Sequence, residues 1–278
     1  MNILVFSLLV SLGSLSAGFL GALTGLGGGV VIVPLLTVIF GVDIHYAIGA
    51  SLVSVIATSS GAASAYVKEG YTNMRLGMFL EVATTFGAIG GAIVAEKISP
   101  GGIAIVFGIV LLFSAYLSRQ PRTEDHNSLA PDPLATRLKL NGTYPTPTGE
   151  QSYNVRSVPF GFGLMFLAGV LSGLLGIGSG ALKVLAMDQM MHIPFKVSTT
   201  TSNFMIGVTA AASAGIYLTR GYIDPALAMP VMLGVLFGAV LGARVLVRSR
   251  VKLLRNIFSG VILVLALEMI YKGLTGRI

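Results

Sequence analysis

Residues 17–34, AGFLGALTGLGGGVVIVP, form an apolar stretch that is interrupted by a run of glycines. A related stretch, AGVLSGLLGIGSGALKVL, occupies residues 168–185, so that residue n of the first aligns with residue n + 151 of the second. Glycine lowers helix propensity, permits strained turns and lets the backbone approach a ligand closely. Both stretches are therefore predicted to be helices that break at equivalent places, 25–29 and 176–180.

The same offset continues without a gap through the apolar segments that follow. Ser51 aligns with Ser202, and Phe86 aligns with Phe237. An unbroken register that includes aromatic pairs is hard to obtain from Gly-rich and Ala-rich composition alone, so we predict two tandem homologous helical repeats. They are a first transmembrane repeat at 1–117 and a second at 159–278, joined by a proline-rich, charged linker at 118–158.

The composition is that of a membrane protein, with 54% hydrophobic residues, 10% charged residues and a mean hydropathy of +0.86. A helix needs about 20 mostly apolar residues to cross a bilayer, and such runs recur in both halves. They lack the alternating pattern of barrel strands, and backbone groups in lipid must be satisfied internally. We predict an all-α, polytopic integral membrane protein with about eight to ten membrane segments. The runs are 3–40, 44–67, 76–95, 103–117, 158–186, 197–218, 226–247 and 257–271.

The net charge of +7 comes mainly from Lys and Arg in short segments between the apolar runs. That distribution is typical of the positive-inside rule and does not indicate nucleic-acid binding. An inverted second repeat would collect most of these cations on one side together with the linker, whereas a parallel repeat would separate charge less well. We therefore expect inverted repeats with a cytoplasmic linker.

Several function classes find no support in the sequence. The chain has no Cys, which excludes disulfides and thiolate chemistry, and its three His residues are scattered without metal-ligand spacing. Neither glycine cluster matches a nucleotide-binding fingerprint, and no catalytic constellation is present. We predict no enzyme activity, no cofactor, no metal site and no nucleic-acid partner.

The glycine breaks are the first candidate binding site. Equivalent interruptions in both halves of a carrier point to a midplane site, where half-helix N-termini present N–H groups to an anion. Close helix packing through small residues is the alternative explanation. The candidate residues in these breaks are Gly25, Gly27, Gly28, Gly29, Gly178, Ser179 and Gly180.

Lys183 lies three residues after the second break, where the first half has Ile32. A cation at membrane depth costs roughly 2.5 to 3.5 kcal/mol on insertion scales, so such a lysine is a functional candidate. An anionic substrate would offset that cost. Alternatively, the side chain extends to a membrane interface if the segment is short and re-entrant.

Polar side chains at two further places complete the candidate set. A run of hydroxyl side chains at 198–203 aligns, through the 151-residue offset, with a mostly apolar segment at 47–52. The hydroxyl run can donate hydrogen bonds to a ligand or cap a helix. Glu81, opposite Met232, is a candidate proton relay, a partner for a basic residue, or a span-end residue that faces water. The ligand candidates from these segments are Ser51, Thr200, Thr201, Ser202 and Asn203.

These residues resemble the TauE/SafE family of sulfite exporters. The resemblance lies in 17–34 and the residues around 49–52, and in GIGSGALKV at 176–184 with STTTSNFMIG at 198–207. It implies a bacterial inner-membrane carrier for small anions such as sulfite, sulfoacetate, thiosulfate or other organosulfonates, with a site between the repeats. Leu185 stands where the first half has Pro34, and Lys183 replaces an apolar residue, so we expect the second half to supply the charge.

The resulting hypothesis is an alternating-access carrier in which the glycine breaks, Lys183 and the hydroxyl run hold a small anion. Membrane lipid is its other expected partner, and coupling to protons or another ion is open, as are the transport direction and the oligomeric state. An anion channel or a permease for another small anion uses the same residues and is the alternative. A sulfur-relay subunit and a structural partner of a larger complex are further alternatives.

Overall fold

A computed structural model describes residues 3–24, 28–68, 70–117, 132–146, 149–246 and 251–276. Within these ranges the chain is mostly helical, which confirms the predicted helical class. In these same ranges, the departure from an all-α fold is one short hairpin between the two groups of helices.

Among the described residues, five α-helices precede the linker. Helix α2 is short and continues into a π-helical turn, Leu35–Ile39. The bounds are α1 Ile3–Thr24, α2 Gly29–Pro34, α3 Ile44–Lys68, α4 Met74–Ala95 and α5 Pro100–Leu117.

The linker contains helix α6, Pro133–Arg137, and strands β1, Gly142–Thr146, and β2, Gly149–Tyr153. The strands are antiparallel, with Gly142 opposite Tyr153. Although Asn141-Gly142 is a turn signal, it lies at the entry to β1. The Asn141 side chain instead accepts a hydrogen bond of 2.8 Å from the backbone N–H of Val155, just after β2.

In the described part of the chain after the linker, five further α-helices follow, and the short one again runs into a π-helical turn, Ala186–Met190. The bounds are α7 Val158–Leu175, α8 Gly180–Leu185, α9 Phe195–Thr219, α10 Pro225–Leu246 and α11 Val251–Thr275.

The principal helix pairs are α1 with α10, α4 with α7, α5 with α11, and α3 with α9. Glycines let the second pair meet backbone to backbone. A Cβ atom on Gly87 or Gly91 of α4 would collide with the α7 backbone, and one on Gly169 or Gly173 of α7 would collide with α4. Small residues at helix interfaces are typical of packing within membranes.

Large apolar side chains cover the outside of the helices. Phe86 is 67% exposed and its equivalent, Phe237, is 63% exposed. In the part of the chain that the structure describes, Met74–Ala95 and Val158–Leu175 are long and apolar enough to cross a membrane, and five further apolar helices are shorter. Such an exposed apolar surface indicates an environment of lipid rather than water.

Asn73 joins the linker to the helices. Its side chain caps α4 by accepting from the backbone N–H of Leu76, and it donates to the Leu140 carbonyl and, at 2.7 Å, to the Tyr153 hydroxyl. Its backbone N–H donates to Thr201 Oγ1 of α9 at 3.1 Å. Burial raises the pKa of Tyr153 to about 12, and the hydrogen bond from Asn73 opposes that rise. The hairpin is therefore held against the starts of α4 and α9.

The close approach of α4 and α7 predicts different effects at two adjacent glycines. Gly91→Ala should lower the free energy of unfolding by about 1–3 kcal/mol, because its methyl group meets the Val170 backbone. Gly90→Ala is the matched control, since a Cβ at Gly90 meets no atom within 4 Å. Thermal unfolding of the detergent-purified variants, followed by helical circular dichroism, measures the difference. Equal midpoints for the two variants would contradict the packing.

Candidate functional site

The second glycine break lies between α7 and α8 and has a left-handed backbone. Gly176 has φ of 66° and Gly178 has φ of 67°. Ser179 adopts φ of 46°, which is unfavourable for a residue with a side chain and is common at functional sites. In the first break, Gly25 and Gly27 lie outside the described residues.

The two breaks meet at Ser51 of α3. Ser51 Oγ donates a buried hydrogen bond of 2.7 Å to the Gly176 carbonyl. Gly29, the first residue of α2, lies beside both groups, since a Cβ there would be 2.8 Å from Ser51 Oγ and 3.2 Å from the Gly176 oxygen. Gly28 directly precedes this contact, as the residue before α2.

Two serine hydroxyls near the second break are free to receive a ligand. Ser172 and Ser179 are buried, and within the described ranges neither hydroxyl has a hydrogen-bond partner. An unpartnered buried hydroxyl is unfavourable by about 1–3 kcal/mol, so these groups are candidates for contact with a bound molecule or water.

Lys183 is fully buried and lies in a cluster with Thr209 and Glu81. Its Nζ donates to Thr209 Oγ1, and Thr209 Oγ1 donates to Glu81 Oε1 at 2.6 Å. Glu81 Oε2 lies 3.8 Å from Lys183 Nζ and has no hydrogen-bond partner among the described residues. The three side chains come from α8, α9 and α4, so the cluster joins the two groups of helices.

The burial and contacts of Lys183 and Glu81 bear on the alternatives for both residues. The Lys183 side chain is 0% exposed, so it does not extend to an interface. Glu81 is 7% exposed and pairs with a basic residue rather than facing water. Removing one partner of a buried ion pair costs about 3–5 kcal/mol, so each charge is needed to retain the other.

Glu81 borders an open cleft between α4 and α9. The cleft has a volume of about 330 Å³ and an almost entirely apolar lining. Thr85 supplies a further polar group, and its hydroxyl donates to Glu81 Oε1 at 3.2 Å. The apolar lining consists of Met78, Val82, Phe86, Phe204 and Val208.

The hydroxyl run of α9 is arranged differently from Lys183. Thr200 Oγ1 bonds to the Lys196 carbonyl within its own helix, and Thr201 Oγ1 accepts from Asn73 beside the linker. Ser202 Oγ donates to the Gly180 carbonyl at 3.3 Å and so lies at the second break. Asn203 is half-buried. The structure thus brings Ser202 and Ser51 to the breaks, whereas Thr200 and Thr201 make these other contacts.

Sequence reasoning missed Thr209 as a site residue. It lies beyond the hydroxyl run, and its alignment with Thr58 indicates only a shared position in the two halves. Its importance comes from contacts with α4 and α8, which are distant in sequence.

The 151-residue offset gives this cluster a mostly apolar equivalent, with Ile32 and Thr58 in the first half and Met232 in the second. Ile32 and Met232 stand where Lys183 and Glu81 would fall, and Thr58 Oγ1 bonds to the Ser54 carbonyl of its own helix at 3.0 Å. The described residues contain one charged cluster of this kind, and no group of acidic or His side chains in them could hold a metal ion.

Helices with apolar outer faces around a buried charged cluster are typical of a membrane protein with a functional site in its interior. The family described as "Sulfite exporter TauE/SafE" matches residues 10–269, and the chain belongs to this family. The family resemblance and the prediction of a transporter rather than an enzyme are both confirmed.

Relatives of nearly the same length bear transporter names. "Probable membrane transporter protein YunE" of Bacillus subtilis (strain 168) is 30% identical over 277 residues, which cover 97% of this chain and 98% of that protein. "Probable membrane transporter protein YdhB" of the same organism is 28% identical, covering 82% and 83%. A "Probable membrane transporter protein" of Xylella fastidiosa (strain 9a5c) is 26% identical, covering 96% of each chain. The chain has no significant match among solved structures.

The bridging hydroxyl of Thr209 predicts a stability difference between equivalent threonines. Thr209→Val should lower the free energy of unfolding by about 1–3 kcal/mol, because Lys183 and Glu81 lose their shared partner. Thr58→Val should leave it nearly unchanged, since Thr58 bonds to carbonyls of its own helix. Thermal unfolding measured by circular dichroism compares the two. An equal loss in both variants would contradict a special role for Thr209.

Proposed function

We propose that this protein is a secondary transporter that moves small sulfur-containing anions, such as sulfite, sulfoacetate or related organosulfonates, across the bacterial cytoplasmic membrane. The anion binds between two repeats, and access alternates between the two sides. The observation that carries this proposal is the fully buried Lys183, which lies three residues beyond a glycine break and contacts Glu81 of the other half.

The surroundings of Lys183 suit a small oxyanion. An ammonium group has three donors, of which one is directed to Thr209. The unpartnered hydroxyls of Ser172 and Ser179 lie in the segment that leads to Lys183. Several hydrogen-bond donors and one positive charge in a buried place match the charge and oxygen atoms of a sulfite or sulfonate group.

The repeat organisation of the proposal is supported by the helix bounds. Helix α2 and its π-helical turn begin at 29 and 35, and α8 and its turn begin at 180 and 186. Helices α3 and α9 begin at 44 and 195, and α4 and α10 begin at 74 and 225. Each pair of starts differs by 151 residues, which is the offset of the sequence alignment.

Inversion of the repeats is supported by contacts at both ends of α3 and α9. His45, near the start of α3, stacks on Tyr222 beyond the end of α9, with ring centroids 5.0 Å apart. Asn73, beyond the end of α3, bonds to Thr201 near the start of α9. Equivalent helices that run antiparallel are what an inverted repeat requires.

The charge distribution supports a cytoplasmic linker. Cations at the level of the linker outnumber those at the opposite ends of the helices, as the positive-inside rule expects for the cytoplasmic side. The first group contains Arg75, Arg137, Lys139, Arg156 and Lys196, and the second contains Lys97, Arg220 and Lys272.

Single cysteines test the inversion, because the chain has no natural Cys. Arg75 and Ala226 are equivalent exposed positions at the starts of α4 and α10. Inverted repeats predict that Arg75→Cys and Ala226→Cys react with an impermeant maleimide from opposite sides of intact cells, with Lys97→Cys on the side of Ala226→Cys. Labelling of Arg75→Cys and Ala226→Cys from the same side would indicate parallel repeats.

Anion binding tests the role of Lys183. We expect one of sulfite, thiosulfate, sulfoacetate or taurine to stabilise the purified protein selectively over sulfate and chloride. Lys183→Met should weaken that binding at least tenfold, which corresponds to about 1.4 kcal/mol. Lys97→Met, which removes an exposed cation, is the control.

Lys183→Met also leaves Glu81 without its cation, so the double variant Lys183→Met/Glu81→Gln separates loss of binding from loss of folding. The double variant should fold and still fail to bind. If this folded double variant binds the anion with wild-type affinity, Lys183 is not part of the anion site. If none of the anions stabilises the wild-type protein, the proposed substrate class is wrong.

A further inference from the structure

The Lys183 ammonium already has an anionic partner. Glu81 Oε2 lies 3.8 Å from Nζ, and Thr209 connects the two groups through hydrogen bonds. A substrate anion that binds Lys183 must therefore compete with Glu81 for the same positive charge.

We propose that a substrate anion displaces Glu81 from Lys183, and that Glu81 takes up a proton as it leaves, so that one proton binds with each anion. This inference rests on the proposed anion-carrier function and names its coupling ion. The proton forms an O–H bond on the Glu81 carboxylate, and it is released when the anion departs and the Lys183–Glu81 contact forms again. No other bond forms or breaks.

Charge balance is the first support. Without substrate, the cluster contains one positive and one negative charge, both buried. Entry of a monovalent anion alone would leave one uncompensated negative charge in a place of low dielectric, which is strongly unfavourable. Protonation of Glu81 restores a neutral cluster, because the anion then pairs with Lys183 and the carboxylic acid carries no charge.

The cleft beside Glu81 is the second support. Because Met78, Val82, Phe86, Phe204 and Val208 form most of its lining, it offers the displaced side chain space but few polar partners. An apolar space accommodates a neutral carboxylic acid far better than a carboxylate.

The hydrogen bonds of Glu81 leave one oxygen available for the proton. Oε1 accepts from Thr85 and Thr209, whereas Oε2 has no hydrogen-bond partner within the described ranges. A carboxyl group that is protonated on one oxygen can still accept hydrogen bonds on its other oxygen, which here is Oε1. Oε2 is therefore the atom to which we assign the proton.

Other ionisable groups around Glu81 are few. Helix α7, which packs against α4, has no ionisable side chain, and α9 carries Lys196 near its start and Tyr217 near its end. On α4 itself, Arg75 is exposed, and Tyr153 of the hairpin contacts Asn73. The charged side chain that contacts Glu81 is that of Lys183 from α8.

The coupling predicts a measurable uptake of protons. The detergent-purified full-length protein is mixed with monovalent methanesulfonate, or with divalent thiosulfate as a comparison, in weakly buffered solution with a pH indicator, since neither probe titrates near neutral pH. We expect wild type to take up about one proton per bound methanesulfonate, and its affinity to weaken about tenfold per pH unit where Glu81 is ionised in the free protein. Glu96→Gln, which changes an exposed acid just beyond the end of α4, should behave like wild type.

Glu81→Gln should bind the probe with no proton uptake and with an affinity independent of pH. Binding by wild type without proton uptake would overturn the coupling and leave the anion site intact, and this result requires no variant. Binding of neither probe to wild type or Glu81→Gln would overturn this inference together with the use of Lys183 as an anion site. If Glu81→Gln does not fold, Glu81→Asp should retain the proton uptake.

Discussion

A lysine ammonium buried among apolar helices needs a negative partner, and the rest of this structure is arranged around that requirement. Lys183 comes from the short helix after the second glycine break, whereas Glu81 comes from α4 in the other half of the chain. Thr209 of α9 connects them. Removal of either charge would leave the other buried without a partner and would lower the stability by about 3–5 kcal/mol. The contact therefore fixes α4, α8 and α9 relative to one another.

Glycine makes this contact possible at a distance from the charges. Gly87 and Gly91 let α4 meet the α7 backbone directly, and Glu81 lies fewer than two helical turns before Gly87. A larger residue at either glycine would collide with the α7 backbone and disturb the packing of the helix that carries Glu81. Both sets of glycines therefore act on the contact between Glu81 and Lys183. Gly87 and Gly91 let α4 pack closely on α7, and the glycines between α7 and α8 turn the chain toward this contact.

Much of the fold was predictable from sequence because it depends on local composition and periodicity. Apolar runs predicted the helices, and the glycine run at 176–180 predicted the break, which has a left-handed backbone at Gly176 and Gly178. Lys183 and Glu81 stood out individually because charge is rare in such segments. Their pairing was not predictable, since it depends on packing between helices distant in sequence. Thr200 looked like a ligand from its neighbours, yet its hydroxyl bonds to the carbonyl four residues earlier, a contact that any helical threonine can make.

The asymmetry of the cluster bears on how a carrier of this kind would move. Ile32 and Thr58 of the first half and Met232 of the second occupy the equivalent places, so the two halves cannot exchange roles at the charged cluster. In the proposed alternating-access cycle, separation of α4 from α8 and α9 would pull apart Lys183 and Glu81, which is unfavourable while both remain charged. A bound anion and a proton neutralise the two partners separately, so the helices can part once both are present. In this proposal the proton would act as more than a counter-charge, because it would remove the attraction between Glu81 and Lys183.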